Sequence, residues 1–361
     1  MYQVNQHWDQ LKVCIVGRVY NPEQFSWIKN TKTRSYFEQL AIETEEDFQG
    51  LINKLHLFGV KTVRPNVPLD LHAKPPVACR DHCVMIGNTF YSDIETYDFK
   101  RFYHNVREEN GLWLDSADQL EDARLIELHT QYKTKLYNNG YQHILQEIKD
   151  QGNKIKTFVD PHLTGPMVTR IGRDLYVGTF EENGDYSLLR EKLDKEFPNY
   201  RVHVIDTGGH SDGTFCPVTP GLIISHWDMP TYQDSFPDWE VLYLPHPTLN
   251  KKELNKLQGK KWWMPGAETK DVTDTVEKYM NGWIGDITET VFDVNMLVIN
   301  QNNVIMIAHN KTVIDKLAEY GVTAHIVPFR HRWFWDGGIH CITNDLHREG
   351  NIQDYFPERS K

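Results

Sequence analysis

Residues 296–329 read MLVINQNNVIMIAHNKTVIDKLAEYGVTAHIVPF. Two short apolar runs, MLVIN at 296–300 and VIMIAH at 304–309, flank Gln301-Asn302-Asn303, a triplet suited to a hairpin turn. The stretch KTVIDKLAEYG at 311–321 then changes period. Val313, Leu317 and Tyr320 fall on one helical stripe, with Gly321 as the C-cap. VTAHIVPF at 322–329 returns to strand character, so the order predicted here is β-β-α-β.

The same order recurs along the chain. VTRIGRDLYVGT gives two strands around Gly172-Arg173-Asp174, YSLLREKLDKEF is helical through Leu188, Leu189, Leu193 and Phe197, and YRVHVID is a strand. Near the N-terminus LKVCIVGR is a strand and VKTVRPN another. Between them ETEEDFQGLINKLHLFG is a helix with Phe48, Leu51, Ile52 and Leu55 on one face. CVMIGNTFYSD and FCPVTPGLIISHW read as hairpins. The units share a pattern and few residues. Several such units in one chain predict a closed, pseudo-symmetric α/β ring spanning 1–361 as one domain. A two-domain α+β protein is the alternative that periodicity alone leaves open.

Composition sets the outer limits. With 361 residues, 40% of them hydrophobic, the chain can bury a large core. A net charge of −11 argues against nucleic acid as the main partner, because phosphate contacts need a basic face. No apolar run reaches the roughly 18–20 residues of a membrane span, so no membrane role is expected. The opening MYQVNQHWDQLK lacks the pattern of a signal peptide. The five cysteines, at 14, 79, 83, 216 and 341, form an odd set without framework spacing, which fits the reducing cytoplasm.

Four polar clusters border strand ends: CRDHC at 79–83, Asp160 and His162 in FVDPHLTGPM, His210 and Asp212 in GGHSDGTF, and Cys341 in WDGGIHCITNDLHREG. Each has an ordinary explanation. Cys79 and Cys83 suit packing, and adding His82, His340, Cys341 or His347 gives no common zinc spacing, so no metal is expected. Asp212-Gly213 is a turn dipeptide by itself. His340 is read as packing, Arg348 and Asp345 as a local ion pair, and Cys14 as core. Trp333-Phe334-Trp335 either walls a site or is simply buried. Two glycine pairs, 208–209 and 337–338, nevertheless stand beside a histidine and a cysteine, which favours a nucleophilic Cys/His pair. A thiolate attacks an electron-poor carbon while a histidine protonates the leaving group. If that carbon belongs to a guanidinium, carboxylates must hold the flat cation. Cys341, His210, Asp212 and Asp81 supply that set.

At this point the sequence resembles a known group. GGIHCITNDLHREG is similar to the cysteine motif of the glycine and inosamine-phosphate amidinotransferases, in the guanidino-group-modifying superfamily. The likeness extends over nearly the whole chain, through VNQHWDQLKVCIVGR, Arg80-Asp81, IGRDLYVG and HSDGTF in the family's order. It implies a five-bladed pseudo-symmetric α/β propeller of ββαβ units with the site on its axis. It also implies Cys341 as nucleophile, His210 as general acid and base, and Asp81 and Asp212 as guanidinium ligands. The implied reaction moves the amidino group of L-arginine to an amine acceptor through a covalent amidino-cysteine, releasing ornithine without a cofactor. Members are often dimers, so a homodimer is compatible with the resemblance.

Three departures from the pattern bear on chemistry. Thr164 stands where the family has the aspartate that orients the histidine, with Asp160 as a substitute if the loop is shaped differently. Met229 replaces an arginine near the donor carboxylate, and Thr288-Glu289 replace a serine pair at the amino-acid end. Together they suggest an altered acceptor, a diamine or an amino acid other than glycine. Two other readings remain open: a deiminase- or dihydrolase-type guanidino hydrolase on the same fold, and a non-catalytic relative that binds a guanidino compound.

Overall fold

The structure, a computed structural model, describes residues 1–68, 74–92, 140–160, 163–179, 185–226, 232–244, 261–280, 283–284 and 292–359. Its first strand, β1 (Gln10–Val16), is followed by the long helix α1 (Thr31–Leu57) and by β2 (Lys61–Val63). Helix α1 starts well before the acidic run at Glu43 that the sequence offers as a start. The Asn30 side chain accepts from the backbone N–H of Lys32 and Thr33 and satisfies the first turn. From there Phe37, Leu40, Thr44, Phe48, Leu51 and Leu55 keep one buried stripe at helical spacing.

The remaining units follow the predicted grammar. Strands β3 (Cys83–Ile86) and β4 (Thr89–Ser92) form a hairpin, and β5 (Lys154–Lys156) follows helix α2 (Gln142–Asp150). Strands β6 (Val168–Ile171) and β7 (Asp174–Thr179) precede helix α3 (Ser187–Glu196) and β8 (Arg201–Asp206). Strands β9 (Phe215–Thr219), β10 (Leu222–Ser225) and β11 (Glu240–Tyr243) come next, then helix α4 (Lys270–Tyr279). The unit at 296–329 resolves into β12 (Leu297–Asn300), β13 (Asn303–Met306), α5 (Lys311–Glu319) and β14 (Thr323–Ile326). Leu188 departs from its expected stripe: it is exposed, while Leu193 and Phe197 are buried.

Among the described residues these strands make five three-stranded sheets. Each has one antiparallel pair, a hairpin in four of them, and one parallel pair, with the shared strand in the middle. The last strand, β15 (Thr343–Glu349), pairs antiparallel with β1, whose other edge holds β2. The C-terminal strand thus completes the N-terminal unit. The five sheets, closed in this way, make a five-bladed α/β propeller.

Apolar clusters fill the spaces between sheets. The Trp333-Phe334-Trp335 segment belongs to one of them, with Trp335 Nε1 donating to Thr44 Oγ1 on α1 at 2.9 Å, so burial accounts for it. Near the middle the core is charged. Asp345, opposite Cys14 in the β15–β1 register, accepts from Arg170 at 2.9 and 3.0 Å, from Arg80 at 3.2 Å and from Arg348 at 2.6 Å. Burial opposes the carboxylate charge, yet the three guanidiniums hold Asp345 well below the usual carboxylate range. Burial also pushes Arg170 down to about 10. The arginines come from β15, β6 and the turn before β3, so one carboxylate ties three sheets together. Removing a partner from such a group leaves buried charge uncompensated, at a cost of about 3–5 kcal/mol.

Candidate active site

Cys341 lies in the turn that feeds β15 and is buried. Two other chain segments meet it. The first is the one-turn helix Ser211–Thr214, for which His210 is the N-cap. The chain reaches it through Gly208 at φ 62° and Gly209 at φ 140°, backbone conformations that side-chain-bearing residues rarely adopt. Ser211 Oγ donates to the Met167 carbonyl at 3.0 Å and fixes the turn. The second is the 3-10 turn Cys79–His82, which carries Asp81. Arg80 joins it to the cysteine segment: its backbone N–H donates to the Cys341 carbonyl at 3.2 Å and its Nε to the His340 carbonyl at 2.9 Å.

The side chains converge on the sulfur. Cys341 Sγ is 3.6 Å from Asp212 Oδ2, and His340 Nδ1 is 2.7 Å from that same oxygen. His340 is therefore not mere packing, as its place beside the cysteine suggested. Burial and the charge of Arg80 push it down to about 4 against the pull of Asp212, so it is a neutral imidazole donating to a carboxylate. Burial works against ionised Asp212. The His340 hydrogen bond, with the positive charge of Arg80, still holds it below the usual carboxylate range. Its other oxygen, Oδ1, is buried and has no hydrogen-bond partner among the described residues. A buried carboxylate oxygen left open in this way is a place for a further donor.

Burial, then the negative charges of Asp212 and Asp81, pushes the Cys341 thiol well above its ordinary range. A cation beside those carboxylates would offset their part of the effect. His210 Nε2 lies 3.5 Å from Oγ1 of Thr164, the residue that the resemblance sets where an orienting aspartate is expected. The Asp160 carboxylate pairs through Oδ2 with Lys192 Nζ at 2.9 Å. Cys341, Asp212 and His340 are thus in direct contact, with Asp81 and His210 on the two segments that flank them. Met229, Thr288, Glu289 and His162 lie outside the described residues.

His340 is committed to Asp212, His82 is edge-on to Tyr141, and among the described residues no group of three or more His, Cys, Asp or Glu is arranged to hold a metal ion. Sequence reasoning missed Asn295, whose amide bonds both Cys341 and His340. The available signal was a lone asparagine inside the apolar run VNMLVI, which must be hydrogen-bonded once buried.

No family model matches the chain. Among solved structures, inosamine-phosphate amidinotransferase from Streptomyces griseus superposes with a TM-score of 0.63 at 18% identity, covering 98% of this chain and 99% of that one. The fold is therefore the amidinotransferase propeller. Curated sequence relatives narrow the class. The mitochondrial glycine amidinotransferase of Danio rerio is 25% identical over 98% of this chain and 84% of its own length. That of Gallus gallus is 27% identical over 62% of this chain and 48% of its own length, so this match spans about half of that relative. L-arginine:L-lysine amidinotransferase of Pseudomonas savastanoi pv. phaseolicola is 22% identical over 61% of this chain and 53% of its own length. By these likenesses the chain is similar to amidinotransferases over nearly its whole length.

Proposed function

We propose that this protein is an arginine-dependent amidinotransferase that moves the amidino group of L-arginine to an amine acceptor and releases ornithine. The observation that carries this reading is the unpartnered Oδ1 of buried Asp212, beside the Cys341 sulfur. A guanidinium N–H would satisfy it, and the cation's planar carbon would then stand near Sγ. Asp81, whose charge already acts on Cys341, holds the other side of the cation.

In this reading Cys341 passes its proton to His210, and the sulfur attacks the guanidinium carbon. The carbon–nitrogen bond to the ornithine side chain breaks with its electron pair left on nitrogen, and His210 returns the proton there. An amidino group remains on sulfur. His210 next takes a proton from an amine, whose nitrogen attacks the amidino carbon. The sulfur leaves and is reprotonated. Transfer needs an amine admitted and water kept out. The departures at Met229 and Thr288-Glu289 favour an acceptor other than glycine, either a diamine or an amino acid such as lysine. All five cysteines are free, which supports a reducing compartment such as the cytoplasm.

Product analysis tests the proposal. The protein is incubated with arginine alone, then with glycine, lysine or putrescine added. Ornithine together with a new guanidino compound, formed only when an amine is present, is expected. Citrulline with ammonia, or ornithine with urea, at an equal rate without amine would make the protein a hydrolase instead.

A further inference from the structure

Asn295 stands two residues before β12 and is fully buried. Its side-chain amide uses its full hydrogen-bonding capacity within the site. Oδ1 accepts from the backbone N–H of His340 at 2.9 Å and of Cys341 at 3.1 Å. Nδ2 donates to the Asp212 carbonyl at 3.1 Å and to the Cys341 sulfur at 3.1 Å. Backbone N–H groups can only donate and a carbonyl can only accept. The amide therefore has one orientation, and the group that faces the sulfur is an N–H.

That placement separates two roles. The bonds to the backbone of 340 and 341 and to the carbonyl of 212 hold the cysteine turn against the His210–Asp212 segment. They need an amide there, but nothing in them requires an N–H on the sulfur. The fourth bond does. Asp212 and Asp81 both disfavour negative charge on Cys341, whereas an N–H directed at sulfur favours it. The chain also leaves room for this one side chain. A Cβ added at Gly338 would lie 2.5 Å from Asn295 Oδ1 and 2.7 Å from Asn295 Cβ, so a side chain at 338 would displace the amide.

We propose that Asn295 is a further catalytic residue of this site: its amide N–H carries part of the negative charge on the Cys341 sulfur as that atom attacks and again as it leaves. The inference rests on Cys341 being the nucleophile.

The test reads the sulfur without turnover. The full chain, Asn295→Asp and Asn295→Ala are alkylated with iodoacetamide across a pH series, and peptide mapping isolates the reaction at Cys341. Circular dichroism and melting temperature establish that the variants are folded. Both are expected to shift the midpoint of alkylation upward by at least one pH unit, which slows alkylation about tenfold at a fixed pH below the midpoint. The aspartate is expected to shift it further, since it puts a carboxylate oxygen where the N–H was. Folded variants whose midpoint is unchanged or lower would overturn the proposal and leave Asn295 a structural clamp. If neither variant folds, the side-chain amide resonances of Asn295 in the unaltered chain are followed through the thiol titration. Movement of the amide proton facing sulfur is expected, and no movement would overturn the proposal. Because alkylation needs no arginine and no acceptor, a failure of the transferase reading is seen in product analysis and leaves this result legible.

Discussion

His340 Nδ1 lies 2.7 Å from Asp212 Oδ2, which leaves the second oxygen of that carboxylate buried and open. A hydrogen bond to a charged group contributes about 1.5–3 kcal/mol net. His340→Ala frees the carboxylate to rotate away from the position that meets the cation. A fall of roughly 10–100-fold in kcat/KM for arginine is expected, expressed mainly in KM. Steady-state kinetics on a folded variant check this. An unchanged KM would return His340 to a packing role.

Gly338→Ala tests how closely the site is packed. The added methyl would meet three Asn295 atoms at 2.5 to 2.8 Å, so either the cysteine turn or Asn295 has to shift. Overpacking of this kind costs about 1–3 kcal/mol. Thermal unfolding should show a lower melting temperature together with loss of most activity. Gly337→Ala is the control, because its nearest contact, Cys341 Cβ at 3.3 Å, requires a smaller adjustment.

Stability should fall on mild acidification. Burial holds His340 down to about 4, and burial with the charge of Arg170 holds His7 well below its ordinary value of 6.5. Between about pH 6.5 and 4 the unfolded chain takes up protons that the folded chain refuses, so stability drops as pH falls through that window. For His340 the loss is on the order of 3 kcal/mol. Asp345 acts with the opposite kind of shift. Its folded value is depressed, so the stability it contributes is present above about pH 4 and is lost as pH falls below that. Urea midpoints at pH 7.5, 6, 5 and 4 measure the profile. His7→Gln and His340→Gln should flatten the 6.5-to-4 region and leave the steeper loss below it.

Asp81→Asn separates the two influences of that carboxylate. The charge of Asp81 opposes ionisation of Cys341. Without it, alkylation of Cys341 at fixed pH should become several-fold faster. Turnover with arginine should fall, because the cation loses a ligand. Both changes in the same direction would remove Asp81 from the guanidinium site.

The ring of ββαβ units was legible because each unit carries its own period changes, from two to 3.6 and back, and its own turn residues. Residues 296–329 show this within 34 positions. Two parts were harder to read. Helix α1 begins at Thr31 because of an asparagine cap whose effect depends on two backbone N–H groups and on no pattern of apolar residues. The candidate residues with local motifs, Cys341, His210, Asp212 and Asp81, stand out in the sequence, since glycines and a resemblance mark them. Asn295 and the Arg80–Arg170–Asp345 group do not. Their partners are distant in sequence, 45 to 260 positions or more away, and only closure of the ring brings them together. His340 was misjudged for the same reason: Asp212, its partner, is 128 positions away.

The most direct measurement is capture of the intermediate on Cys341. The protein is mixed with arginine, quenched with acid after one turnover time, digested and mapped by mass spectrometry, with and without a chase of lysine or putrescine. An amidino adduct is expected on the peptide carrying Cys341, absent in Cys341→Ala, stable in buffer and discharged by the amine as the guanidino product accumulates. Product formation with no adduct on Cys341, or an adduct that water discharges as fast as the amine does, would contradict it.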